Sequence, residues 1–103
     1  MAGTNVLVVE DEKIVSTDIQ LSLKKLGYNV VGAADTGEKA IEQALHKKPD
    51  IVLMDIMLKG EMNGIEAAEK IKETLNVPII FLLLMLKTLH YQKLKWLSLM
   101  VIY

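Results

Sequence analysis

The sequence has no cysteine, which excludes a disulfide framework, a thiolate metal site and a cysteine nucleophile. It has no arginine either: its twelve basic residues are all lysine, against thirteen acidic ones, for a net charge of −1. Such a balance argues against general binding to nucleic acid or to an anionic membrane surface. Aromatic residues are only 5% of the chain, too few for a base-stacking platform. Long apolar runs are missing as well. The longest, Ile79–Leu86, has eight residues, whereas spanning a bilayer takes ~18–20. Met1–Asn5 has no positive start, and the apolar Val6–Val9 is followed at once by acids, so no secretory signal is legible. A soluble, cytoplasmic protein is expected. With 103 residues and 51% apolar content, the chain is expected to form one domain around a packed core.

Charge is unevenly distributed. All thirteen acids lie between Glu10 and Glu73, so residues 1–73, with nine lysines, carry −4. Residues 74–103 have no acid and carry +3. This stretch is rich in Leu and Met, holds the only Trp and the only Phe, and is too short for a second domain.

Up to residue 83, strand and helix signals alternate. Asn5–Val9 is a short apolar, β-branched run of the kind a sheet covered on both faces requires. Ile14, Val15, Ile19, Leu23 and Leu26 recur at helical spacing, and Gly27 follows as a stop. Asn29–Ala34 reads as a second strand. Asp35 with Glu38 three residues on reads as a helix N-cap, followed by Ala40, Ile41, Ala44 and Leu45 on one face. Pro49-Asp50 breaks the chain before a third strand, Ile51–Met54, that ends at Asp55. Asn63 and Glu66 repeat the capping pattern ahead of Ile65, Ala68, Ile71 and Leu75, and Pro78 opens a fourth strand, Ile79–Leu83. Alternation with short connections predicts βαβ units and a parallel sheet with helices on both faces. Ligands of such sheets sit outside the carboxyl ends of the strands. That directs attention to Glu10-Asp11-Glu12 and to Asp55.

Glu10, Asp11 and Asp55 would project from the same edge of one sheet. Converging carboxylates repel one another unless a cation neutralises them. An oxygen-only donor set, with no His or Cys beside it, suits a hard cation, and Mg²⁺ is the natural candidate. Such a site can hold a phosphoryl group beside Asp55, and a carboxylate can itself attack phosphorus to form an aspartyl phosphate. Taken singly, each acid has a simpler reading as a helix-start or solvated loop residue; the combination is what points to chemistry.

VLVVEDE at Val6–Glu12, PDIVLMDIML at Pro49–Leu58 and MNGIEAAEKIK at Met62–Lys72 together resemble the receiver domain of two-component response regulators. The resemblance covers residues 4–82. It implies a doubly wound, three-layer α/β (flavodoxin-like) fold of strand order 2-1-3-4-5, and Asp55 as acceptor of a phosphoryl group from a histidine kinase. It also implies that Glu10, Asp11, Asp55 and the backbone carbonyl of Met57 hold Mg²⁺. Glu10 stands where Asp is commoner, and the LKGEMNG loop is one residue longer than the usual form. Asn63 is given no role beyond capping.

Residues 83–103 depart from the family, so the sheet is expected to be incomplete or altered at the fifth strand and fifth helix. A receiver has Thr or Ser after the fourth strand, where this chain has Leu83, and a Lys after the fifth that pairs with phosphoryl oxygens, which is not found. A hypothesis that accounts for both is translation one nucleotide out of frame from Leu83. Regrouped codons of Leu82–Leu86 can read Thr-Ala-Tyr-Ala, and those of Trp96–Tyr103 can read Ala-Glu-Pro-Tyr-Gly-Tyr-Ile, as the family has there. The coding DNA tests it: with no receiver ending in the adjacent frame, the idea is lost. As it stands, the tail reads either as a loose helical face (Leu86, Leu89, Leu94, Leu97, Val101) or, at Leu99–Tyr103, as a substitute fifth strand. Lys87, Lys93, Lys95, His46 and His90 read as solvated residues and Trp96 as a packing anchor. An apolar tail on an incomplete sheet predicts a homodimer through the tail or the sheet edge.

Three functions compete. A phosphoaccepting signalling receiver, not an enzyme that turns over substrate, fits the constellation best. A Mg²⁺-dependent phosphohydrolase with Asp55 as nucleophile would need a second Asp two residues on, where Met57 stands. A pseudo-receiver serving only as an interaction module remains, given the missing hydroxyl and Lys. Dinucleotide binding fails, because Gly32 and Gly37 do not form G-x-G-x-x-G after the first strand.

Overall fold

Short aliphatic runs alternate along the chain with segments of helical periodicity. A computed structural model of the chain describes residues 3–82 and the strand backbone of residues 100–102. In chain order the elements are β1 (Asn5–Val9), α1 (Lys13–Lys25), β2 (Asn29–Ala34), α2 (Gly37–Lys47), β3 (Ile51–Asp55), α3 (Gly64–Thr74), β4 (Ile79–Leu82) and β5 (Met100–Ile102). β2, β1, β3 and β4 lie side by side in that order and are all parallel. A fifth parallel strand does not occur among the described residues. Instead β5, within the Leu99–Tyr103 stretch, pairs antiparallel with β4 through Ile80–Ile102, Phe81–Val101 and Leu82–Met100. The sheet is thus altered at its fifth strand, as expected.

The two-residue period of the strands sorts their side chains into two layers. Leu7, Val9, Val52, Met54, Ile79 and Phe81 meet α2 and α3 through Ala40, Ala44, Ala67, Ala68 and Ile71. The alternate residues Val6, Val8, Leu53 and Leu82 meet α1 through Val15, Ile19 and Leu23. Small alanines on α2 and α3 let two helices sit close on one face. Larger residues on α1 fill the other. Each fully buried aliphatic side chain contributes about 1.5–3 kcal/mol of transfer free energy.

Local chemistry sets the helix ends. α1 closes in a Schellman motif: Tyr28 N–H donates to Leu23 O at 3.0 Å and Gly27 N–H to Lys24 O at 3.1 Å. Gly27 stands at φ +94°, which glycine alone adopts without a Cβ penalty. α3 begins with a full capping box: Glu66 N–H donates to Asn63 Oδ1 at 2.9 Å, and Asn63 N–H to Glu66 Oε1 at 3.0 Å. The start of α2 corrects the sequence reading. Its N-cap is Thr36, whose hydroxyl accepts from Lys39 N–H at 3.1 Å. Asp35 lies one residue outside and pairs with the Lys39 ammonium at 3.3 Å. Both residues are good caps; β2 ends at Ala34 as expected, and α2 begins one residue later than the Asp35–Glu38 spacing suggests.

No helix among the described residues is long and apolar enough to cross a membrane. The expectations for Leu83, Lys87, His90, Lys93, Lys95 and Trp96, the displaced frame and association through the tail lie outside the described residues.

Candidate functional site

β1 and β3 are adjacent and parallel, with Val9 opposite Met54, so the residues that end them emerge together. Glu10 and Asp55 continue the α1-facing rows Val6–Val8 and Leu53, and both are buried, at 2% and 0% exposure. Asp11 follows Glu10 and is half-buried. One carboxylate oxygen from each of Glu10, Asp11 and Asp55 lies within 4.8 Å of the others. The structure therefore brings these three predicted residues into one group.

Backbone donors hold each carboxylate in place. Glu10 Oε2 accepts from Glu12 N–H at 2.9 Å, while Glu10 N–H extends the ladder to Ala34 O at 2.9 Å. Asp55 Oδ1 accepts from Met57 N–H at 3.0 Å, turning the chain sharply out of β3. Asp11 Oδ2 accepts from Lys59 N–H at 3.0 Å and so ties the loop after β1 to the loop after β3. Hydrogen bonds from N–H groups favour ionised carboxylates; burial and mutual repulsion oppose them. A small divalent cation would relieve that conflict, and the all-oxygen donor set fits Mg²⁺.

Glu12 occupies the N-cap position of α1, is exposed, and makes no side-chain cap. The Met57 side chain is 50% exposed, while its N–H faces Asp55. Asn63 caps α3, in keeping with the limited role read from the sequence. His46 is exposed on α2. Glu10 and Asp11 also border a cleft of about 520 Å³ between α1 and α2, with Lys13 and Lys39 on its walls. Ile14, in the first turn of α1, is 74% exposed, an unusual surface for so large an apolar residue.

Two contributors escaped the sequence reading. The Lys59 N–H acts through the backbone, which leaves no mark on residue type. Gly64 packs against Asp55 with no room for a side chain. A glycine in the first turn of a strongly periodic helix is a signal of close approach, and could have been read as one.

The sequence model of the response regulator receiver domain matches residues 6–92. The regulator PhyR of Methylorubrum extorquens is 35% identical over 81 residues, covering 78% of this chain but 30% of that protein. The signal receiver domain of a modulated diguanylate cyclase from Desulfovibrio desulfuricans is 42% identical at a TM-score of 0.73, covering 77% of this chain and 63% of that one. PhyR of Bartonella quintana, an anti-anti-sigma factor crystallised with the anti-sigma factor NepR, is 36% identical at a TM-score of 0.73. That match covers 80% of this chain and 33% of the PhyR chain. This chain thus spans about a third of the length of its full-length PhyR relatives. With the fold, the strand order and the family match in agreement, the chain belongs to the response regulator receiver domain family.

Proposed function

We propose that this chain is a phosphoaccepting receiver, with Asp55 as the acceptor and a histidine kinase as the phosphodonor. The observation that carries this reading is the gathering of Glu10, Asp11 and Asp55 within 4.8 Å at the carboxyl ends of two adjacent parallel strands. A carboxylate oxygen of Asp55 attacks phosphorus, the P–N bond to the donor imidazole breaks, and the leaving nitrogen takes up a proton. Glu10, Asp11, Asp55 and the Met57 carbonyl would hold Mg²⁺, which would supply charge neutralisation for the phosphoryl oxygens. Glu10 and Asp55 sit in buried positions, so charge placed there is poorly screened and strongly felt. Asp11, bonded to Lys59 N–H, keeps the two loops together while the phosphoryl group enters. Ile14 offers an apolar contact for the donor protein beside the site. The whole acts in the cytoplasm as a regulator.

The test is incubation with Mg²⁺ and a phosphorylated histidine kinase, or a small phosphodonor, alongside Asp55→Asn. Label that is acid-stable, base-labile and missing from the variant supports the reading. Equal labelling of both proteins removes Asp55 as acceptor. The similarity to PhyR, crystallised with an anti-sigma factor, favours a second reading, a module whose role is to bind a partner protein. A well-folded protein that takes no label under any donor would leave that reading alone standing.

A further inference from the structure

α3 starts directly against the end of β3. Gly64 N–H donates to Ile56 O at 3.0 Å. A β-carbon on Gly64 would overlap the carbonyl oxygen of Asp55, and would lie 2.9 Å from the Asp55 carbonyl carbon and 3.0 Å from Ile56 Cα. All three are main-chain atoms, with no rotamer to move aside. Positive φ is confined to Gly3, Gly27 and Gly60 among the described glycines, so backbone freedom is not what glycine contributes at position 64. Space is. Alanine would be the better helix former there on propensity alone.

Gly37 provides an internal contrast. It too opens a helix, α2, and the three atoms nearest a β-carbon on it would be Met62 side-chain atoms, at 2.9 to 3.1 Å. A flexible thioether can yield by a few tenths of an ångström. The Asp55–Ile56 peptide cannot, because Asp55 is held in the β3–β4 ladder opposite Leu82.

We propose that Gly64 is a positioning residue for the carboxylate site. By leaving out a side chain it seats α3 on β3 and fixes the peptide that aims the Asp55 carboxylate. The same peptide leads to Met57, whose N–H holds Asp55 Oδ1. This inference rests on the reading of Asp55 as a Mg²⁺-assisted phosphoacceptor. A methyl group at position 64 must move either α3 or the Asp55–Ile56 backbone, and Mg²⁺ tolerates little departure from octahedral geometry. Disturbing groups that orient metal ligands weakens affinity by about 10- to 100-fold.

The experiment compares the full chain with Gly64→Ala and Gly37→Ala, each checked for folding by circular dichroism, using Mg²⁺ alone as ligand in titration calorimetry. Gly64→Ala is expected to bind Mg²⁺ about tenfold more weakly or worse, and Gly37→Ala within about twofold of the parent. A purely structural role would lower the unfolding midpoint of Gly64→Ala while leaving the affinity of its folded form unchanged. That outcome, or equal weakening by Gly37→Ala, overturns the proposal and leaves the phosphoacceptor reading intact. A parent chain with no saturable Mg²⁺ binding refutes the phosphoacceptor reading itself, and this inference with it. Should Gly64→Ala fail to fold, amide NMR of the parent decides. The Gly64 amide is expected to shift with the same Mg²⁺ midpoint as that of Met57, and a Gly64 amide that stays still overturns the proposal.

Discussion

Replacing Asp55 by Asn should make the metal-free protein more stable. The carboxylate oxygens of Asp55, Glu10 and Asp11 lie within 4.8 Å of one another. At that separation and an effective dielectric of 20, each ionised pair costs about 3.5 kcal/mol. Asp55 takes part in two such pairs. Solvent screening at half-buried Asp11 relieves much of the sum, which leaves a net gain of about 1–3 kcal/mol for the neutral amide. Asn keeps the shape of Asp, and its Oδ1 can still accept from Met57 N–H, the bond seen at 3.0 Å. The assay is urea denaturation of both proteins, first with EDTA and then with saturating Mg²⁺. With EDTA the variant should be more stable, with its urea midpoint shifted to higher concentration. Mg²⁺ at 100 times its dissociation constant should then stabilise the parent by about 2.7 kcal/mol and the variant by much less. Equal midpoints in EDTA, or equal stabilisation by Mg²⁺, would refute the claim that these acids form one electrostatic unit.

Further outcomes follow from the same geometry. Asn63→Ala removes the capping box of α3 and should lower unfolding free energy by about 0.5–2 kcal/mol in chemical denaturation. Ile19→Ala, at 0% exposure on the sheet-facing side of α1, should cost about 2–5 kcal/mol on the same measurement. Ile14, 74% exposed on the same helix, should change stability by no more than about 0.5 kcal/mol when replaced by Ala. The Ile14→Ala variant should nevertheless accept phosphoryl groups more slowly from a kinase while matching the parent with a small donor. Unchanged transfer from the kinase would remove Ile14 from the docking surface.

Much of the fold was legible because its signals are local. Asn5–Val9 and Asn29–Ala34 coincide with β1 and β2, and Ile51–Met54 with the body of β3. Gly27, Asn63 and Glu66 act as helix punctuation in the expected places. The carboxylate trio was legible because parallel strands export their last residues to one edge, a rule of topology that needs no side-chain detail. Less visible were effects carried by the main chain. The bond from Lys59 N–H to Asp11 would be offered by any residue except proline. Thr36 and Asp35 are both good caps and differ only in where α2 begins, which periodicity leaves uncertain by a residue. The reversed direction of β5 is set by pairing with β4 across a long sequence separation, and no short-range signal encodes that.

The alternation along β3 has an evolutionary consequence. Val52 and Met54 belong to one layer and Leu53 to the other, with Asp55 next in the second row. A single-residue insertion or deletion between Ile51 and Met54 would exchange the layers and turn the acidic terminus toward the helix pair α2 and α3. The segment just beyond, with its extra residue, is under no such parity constraint and touches the neighbouring loop through Lys59 N–H alone among the hydrogen bonds described. Length variation in descendants of this gene should therefore accumulate after Met57 and be purged before it.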